Sequence, residues 1–212
     1  MRPTEIAYKF IKERILEGVY MPSQKLIEVD LANHIGVSRN TVKKALLKLE
    51  QENLIVMEKN KGASIKAFTK EEINNYLRIR EVLEGLIAAD AARNMSDEWI
   101  KELESVLEEM RENLQQQKFD EYSNGNLKFH DIIYRASKNQ QAVDMVKIIK
   151  QQLKRLQFRT ILVPGRNESS FKEHSDILSV LRNREVELSE HLVKKHVANV
   201  RKTILDHYNV LN

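Results

Sequence analysis

Apolar positions recur every three to four residues along most of the chain, and the breaks in that rhythm mark its elements. Ile6, Ala7, Phe10, Ile11 and Ile15 share one face of a helix predicted over 3–17, which Gly18 ends. Residues 20–26, with Pro22 among them, read as a connector. Leu31, Ala32 and Ile35 line one side of a short helix that stops at Gly36. Ser38 then caps a helix running to residue 51, which buries Val42, Ala45, Leu46 and Leu49 at i, i+3, i+4, i+7 spacing. Its opposite face carries Arg39, Asn40, Lys43, Lys44 and Lys48. The rhythm changes at Leu54-Ile55-Val56-Met57, a short apolar strand, followed by a polar turn over 58–62 and a second strand at Ala63-Ser64-Ile65. No alternating pattern appears after Ile65. Thr69 and Glu72 form a capping box for a helix over 69–94 with Ile73, Leu77, Leu83 and Ile87 inward. Ser96 caps the next, and further helices are predicted over 119–136, 140–162, 169–181 and 186–208, with Pro164-Gly165 as a break. The predicted fold is mainly α. A winged helix-turn-helix over 1–68 precedes an all-α helical bundle of about six helices over 69–212.

Helix, glycine-containing turn and basic helix make a helix-turn-helix, whose second helix enters the DNA major groove. The bland alternative is an amphipathic helix with a solvated basic face. The hairpin after it, tipped by Lys59, Lys61 and Gly62, supplies a wing that brings cations and a close-approaching backbone to phosphates or the minor groove. Charge placement agrees with this reading. The first 68 residues hold 12 Lys/Arg and 8 Asp/Glu, so the whole net charge of +4 lies there and the remainder is balanced. Hydrophobic residues at 42% and charged residues at 31% are ordinary for a soluble globular protein. Disulfides and thiolate metal sites are excluded, because the chain has no cysteine. No apolar run approaches the roughly 20 residues of a membrane span, and the first residues lack the apolar core of a signal peptide. A cytoplasmic protein without a membrane partner is expected.

In the predicted bundle, His130, His174 and His196 each sit mid-helix among apolar neighbours, so three imidazoles face inward from three helices. Neutral imidazoles that converge can bind a divalent metal, and Asn126 lies one helical turn before His130 on the same face. Three core histidines, each hydrogen-bonded to a carbonyl or carboxylate, are the competing reading, and spacing alone leaves both open. His34, His191 and His207 read as surface or rim residues.

Two stretches resemble a known family. Leu16-Glu17-Gly18, Pro22, Leu26, Glu28, Leu31-Ala32, GVSRNTV, Ala45-Leu46, Leu49 and NKGASI resemble the winged-helix domain of the GntR superfamily of bacterial transcription regulators. The resemblance implies that Arg39 and Lys43 are the two base- or phosphate-contacting positions, with Asn40 and Thr41 between them, Lys44 beside them, and Lys61 and Gly62 at the wing tip. Lys43, Lys44 and Val29 depart from the family's usual Arg, Glu and Arg. The second half resembles the FCD domain of the FadR branch, whose metal-binding members carry an Asp and a His four apart, then two more His. Here NLKFH, KEHSDIL and KKHVANV supply Asn126, His130, His174 and His196, with Asn in place of the Asp. Arg80-Glu81-Val82-Leu83-Glu84 is similar to an Arg-x-x-Leu-Glu pattern, which implies Arg80 as an effector anchor, against a surface salt bridge as the plain reading.

The resemblance implies a homodimeric repressor that binds a pseudo-palindromic double-stranded DNA operator. Its bundle would hold a divalent metal, zinc first with nickel or manganese as alternatives, and a small organic acid effector. Two other classes stand beside it. A metal-dependent hydrolase would need a general base, and no carboxylate is clearly placed beside the histidines; Glu173, as the sequence neighbour of His174, should point to another side of its helix. An architectural DNA-binding protein would need no inward histidines at all.

Overall fold

The computed structural model describes residues 1–154 and 160–211. Contacts divide the chain into two units, Met1–Thr69 and Lys70–Asn212. In the first, α1 (Pro3–Leu16) starts on a proline whose missing N–H costs nothing at a helix start, and it buries Ala7, Ile11 and Ile15. Helix α2 (Glu28–Ile35) ends on Gly36, whose φ of +75° is left-handed and turns the chain for the next helix. Helix α3 (Arg39–Gln51) is capped by the Ser38 hydroxyl, which accepts from the Thr41 N–H at 3.1 Å. Its buried residues are Val42, Ala45, Leu46 and Leu49, the four that the periodicity selects.

A sheet of three antiparallel strands closes this unit in the order β1 (Lys25–Leu26), β3 (Gly62–Ile65), β2 (Ile55–Glu58). The two-residue β1 falls in what the sequence reads as a connector. Two residues carry no periodicity of their own, and only pairing with β3, Leu26 opposite Ala63, makes them a strand. One core joins Ile11, Leu26, Leu31, Val42, Leu46, Leu49, Ile55 and Ile65, so the sheet and all three helices share it.

In the second unit the described residues form six long helices: α4 (Lys70–Asn94), α5 (Asp97–Gln115), α6 (Phe119–Ala136), α7 (Gln140–Gln152), α8 (Arg166–Arg182) and α9 (Val186–Asp206). Helix α4 is the axial element, packed on α9, α7 and α6. Its alanine-rich half buries Ile87, Ala88, Ala91 and Ala92. At Gly85 a Cβ would lie 2.6 Å from Lys194 Cγ, so any larger residue there would have to displace the Lys194 stem that crosses α4. The core also takes in Phe129, Ile132 and Ile133 of α6, Val143 and Val146 of α7, Ile177 and Leu181 of α8, and Val193 of α9.

Two predicted boundaries differ. The helix expected over 140–162 stops at Gln152, and a single 3-10 turn occupies Thr160–Leu162; positions 155–159 of that expectation lie outside the described residues. Helix α8 begins at Arg166 rather than 169, because Gly165 adopts a left-handed φ of +75° immediately before it. None of the helices is long and apolar enough to cross a membrane, among the described residues.

Candidate functional site

The first unit presents one basic face. Burial of Val42, Ala45, Leu46 and Leu49 forces Arg39, Asn40, Lys43 and Lys44 of α3 outward, and all four are exposed. Thr41 is half-buried, its hydroxyl 2.8 Å from the Ser38 hydroxyl, so it builds the cap. Arg39 donates from Nε to Glu28 at 2.7 Å, an exposed pair that is cheap to exchange for phosphate or a base edge. Lys43 and Lys44 make no ion pair among the described residues. On the wing, Lys61 donates to Glu58 at 2.6 Å, and Gly62 has a φ of +83° with open space where a Cβ would sit. The wing needs glycine for its backbone, not for room.

In the second unit, α6, α8 and α9 bring His130, His174 and His196 together. One ring nitrogen from each lies within 4.8 Å of the others, and all three side chains are buried. Each Nδ1 is occupied from behind. His174 Nδ1–H donates to the Ser170 carbonyl at 2.6 Å. His196 Nδ1–H donates to Glu173 Oε2 at 2.6 Å. His130 Nδ1 faces Glu84 Oε2 at 3.5 Å. Acceptors at all three Nδ1 atoms keep the proton there and leave the lone pair on Nε2, the tautomer that metal-binding imidazoles use. His130 Nε2 and His174 Nε2 then face each other at 3.4 Å. Two ligand nitrogens about 2.1 Å from one ion at a tetrahedral angle would stand about 3.4 Å apart. Burial, with the positive field of Lys150, holds His130 well below the ordinary histidine range, and burial likewise lowers His174 and His196. All three therefore stay neutral.

Asn126 supplies an independent mark. Its Oδ1 is buried without a hydrogen-bond partner, and the residue lines the same pocket as His130 and His196. A buried acceptor with nothing to accept is costly unless something electropositive meets it. The donor set of three neutral imidazoles and one amide oxygen fits a divalent cation of zinc or nickel type.

The sequence reading misplaces one carboxylate. Glu173 does leave its helix on another side from His174, but it reaches across to α9. There it accepts from His196 Nδ1, from Asn199 Nδ2 at 2.9 Å, and from both Nη atoms of Arg166. Burial opposes its charge, but the hydrogen bonds from His196 and Arg166 prevail and bring the carboxyl down to about 2. Glu84 stands behind His130 Nδ1 at 3.5 Å and is bonded to Tyr134 Oη at 2.8 Å and to Arg80. Arg80 is 3% exposed, so the surface salt bridge is ruled out in favour of a buried one, and its Nη1 has no partner.

His130 and His196 open onto one pocket, which Arg80, Asn126, Lys150, Lys154 and Arg166 also line, with His174 buried behind them. Asp and Glu are absent from the described residues of its wall.

Comparison with known proteins gives two family matches. Residues 3–65 match the bacterial regulatory proteins, gntR family, and residues 75–199 match the FCD domain. The chain is 22% identical over 197 residues to the HTH-type transcriptional repressor RspR of Escherichia coli, covering 93% of this chain and 86% of that one. With the gluconate operon transcriptional repressor of Bacillus subtilis it shares 27% over 181 residues, 85% of this chain and 72% of that one. Among solved structures, E. coli McbR/YncC superposes with a TM-score of 0.77 at 21% identity over 100% of both chains. A GntR regulator from Rhodococcus sp. RHA1 gives 0.75 at 20% identity, covering 97% of this chain and 98% of that one.

Proposed function

Because this chain belongs to the GntR family of bacterial regulatory proteins and carries an FCD domain, we propose that it is a homodimeric transcriptional repressor whose hold on a pseudo-palindromic operator is set by a small carboxylate effector. Residues 1–68 are the DNA-binding domain and 69–212 the effector-binding and dimerisation domain. Each subunit reads one half-site through α3, with Arg39 and Lys43 as the principal contacts and Asn40, Thr41 and Lys44 beside them. Lys61 and Gly62 bring the wing to the backbone. The protein is cytoplasmic and needs no membrane.

The observation that carries the effector reading is the convergence of one ring nitrogen from each of His130, His174 and His196, with the orphaned Oδ1 of Asn126 on a residue that lines the same cationic-walled pocket as His130 and His196. His130, His174, His196 and Asn126 would hold a divalent metal, zinc first, with nickel or manganese as alternatives. When bound, it would supply a positive end for the effector's carboxylate. The protein's own residues do the rest. Glu84, Glu173 and the Ser170 carbonyl orient the imidazoles, and Arg80, in the pocket wall, keeps an Nη1 without a partner. Effector occupancy favours one geometry of the bundle, and that preference is felt as a change in operator affinity.

A hydrolase gains no support from the carboxylates nearest the histidines. Glu84 and Glu173 are committed to Nδ1 atoms and to arginines, which leaves neither as a general base. The RspR and gluconate repressors that share most of the chain's length favour repression over an architectural role.

The test combines native mass spectrometry of the purified protein with fluorescence anisotropy on operator DNA selected from a random pool. Two subunits, one divalent ion per subunit and operator affinity that changes at least fivefold with a carboxylic acid are expected. A metal-free monomer whose DNA binding ignores all acids would end this reading.

A further inference from the structure

The charges around the pocket do not cancel, and the imbalance says what kind of acid belongs there. Of the four lysines and arginines among the described residues of the wall, two are neutralised inside the protein. Arg166 lies 2.9 Å from Glu173, and Arg80 is paired with Glu84. Lys150 is not. Its ammonium donates to the neutral Tyr134 hydroxyl at 3.3 Å and lies 5.1 Å from the centre of that ring. The carboxylate nearest in charge, Glu84, already serves Arg80, Tyr134 and His130. Asp131 also acts on Lys150, but it is engaged with Arg135 at 3.2 Å. Lys154, four residues beyond Lys150 and past the end of α7, lines the same pocket and makes no ion pair among the described residues. The Nη1 of Arg80 remains an unused donor in the same wall. A half-buried ammonium with a neutral partner, beside a buried guanidinium nitrogen with none, is an unfavourable arrangement until an anion completes it.

The histidine end has its own claim on negative charge, since Asn126 is neutral where a carboxylate ligand would cancel one unit. One carboxylate at that end leaves Lys150 and Lys154 unanswered. Resting on the carboxylate-effector reading above, we infer that the pocket is built for an organic dianion: a small dicarboxylate with one carboxylate at the histidine end and the second on Lys150 and Lys154.

Matched probes isolate the second charge. Lactate and malate share a 2-hydroxy carboxylate, and malate adds one further carboxylate. Calorimetric titration of the full-length, metal-loaded protein at neutral pH is expected to show malate binding at least tenfold tighter than lactate. Lys150→Met should reduce that ratio at least fivefold, and Lys154→Gln, an exposed position that cannot endanger the core, should reduce it in the same direction. Lactate and malate of equal affinity would overturn the inference while leaving the carboxylate-effector reading intact. A ratio unchanged in both variants would overturn it too. If inorganic phosphate binds as tightly as malate with the same Lys150 dependence, the site takes anions generally and the organic dianion is refuted. Binding of neither acid would refute the effector reading and this inference together.

Discussion

At the scale of single residues, Asn126 and Lys150 decide how the pocket behaves. Three imidazoles and an amide would leave a bound ion its full double charge, so an acid is favoured there more than beside an Asp ligand. Asn126→Asp should therefore raise metal affinity and shrink the further gain that malate confers, since coupling between two ligands is reciprocal. Calorimetric metal titration of both proteins, with and without malate, measures both numbers. Lys150 sets a pH dependence. Burial pushes it down to about 8, against the pull of Glu84; Arg80 on α4 pushes the same way as burial, and Asp131 on α6 the opposite way. Between about 8 and the unfolded value of 10.5, the unfolded chain holds a proton the folded chain has released, so this group's contribution to stability rises with pH in that window. Anion binding runs the other way. Malate affinity should fall about tenfold from pH 7 to pH 9 while lactate affinity changes much less, because one unit above a pKa leaves about a tenth of the ammonium charged. A parallel decline for both acids would mean that Lys150 is not the group sensed. The histidines were legible from sequence because each interrupts an apolar stripe. Glu84 and Glu173 were not read as their supports, because a helical wheel gives a residue's direction and not which neighbouring helix its carboxylate reaches.

At the scale of elements, α3 and the wing were readable because periodicity and turn chemistry act within a dozen residues. The four buried positions of α3, its Ser38 cap and the Gly36 stop are all local. Strand β1 was not readable, since its two residues become a strand only by pairing with β3. The end of α7 was missed because no Gly or Pro lies between residues 140 and 163 to signal it. Arg39→Ala and Lys43→Ala should each weaken operator binding with the fold intact, as both side chains leave α3 opposite Val42 and Leu46. A base-contacting side chain should cost about 1–3 kcal/mol and relax specificity, while a phosphate contact weakens all sequences alike. Gel shifts on cognate and scrambled DNA separate the two, and wild-type affinity in both variants would remove α3 as the reading helix. In the wing, Gly62→Val should impair DNA binding more than Lys61→Ala. A branched residue is strained at a φ of +83°, whereas Lys61 loses only an exposed charge already shared with Glu58. Equal, negligible losses in an anisotropy titration would reduce the wing to a simple hairpin.

At the scale of the whole molecule, the division of charge matches the division of labour. The basic excess lies in the first 68 residues, and the balanced remainder carries the pocket. Operator affinity should accordingly drop steeply with salt through the first unit, while acid binding reports on the second. One feature of the second unit has a kinetic side. Glu173 and the Ser170 carbonyl close two histidines from behind, Glu84 lies behind the third, and His174 is wholly buried. An ion held by the three Nε2 atoms would thus exchange with solvent through the pocket, past Asn126, and an acid seated there stands in the doorway. A carboxylate effector would then do more than add affinity: it would act as a stopper, and the lifetime of the ion would record whether the acid is present. With EDTA in excess, metal loss followed by stopped-flow should slow at least tenfold when malate saturates the pocket, and Lys150→Met should return most of that speed. Loss at one rate with and without malate would mean that the ion leaves by another door.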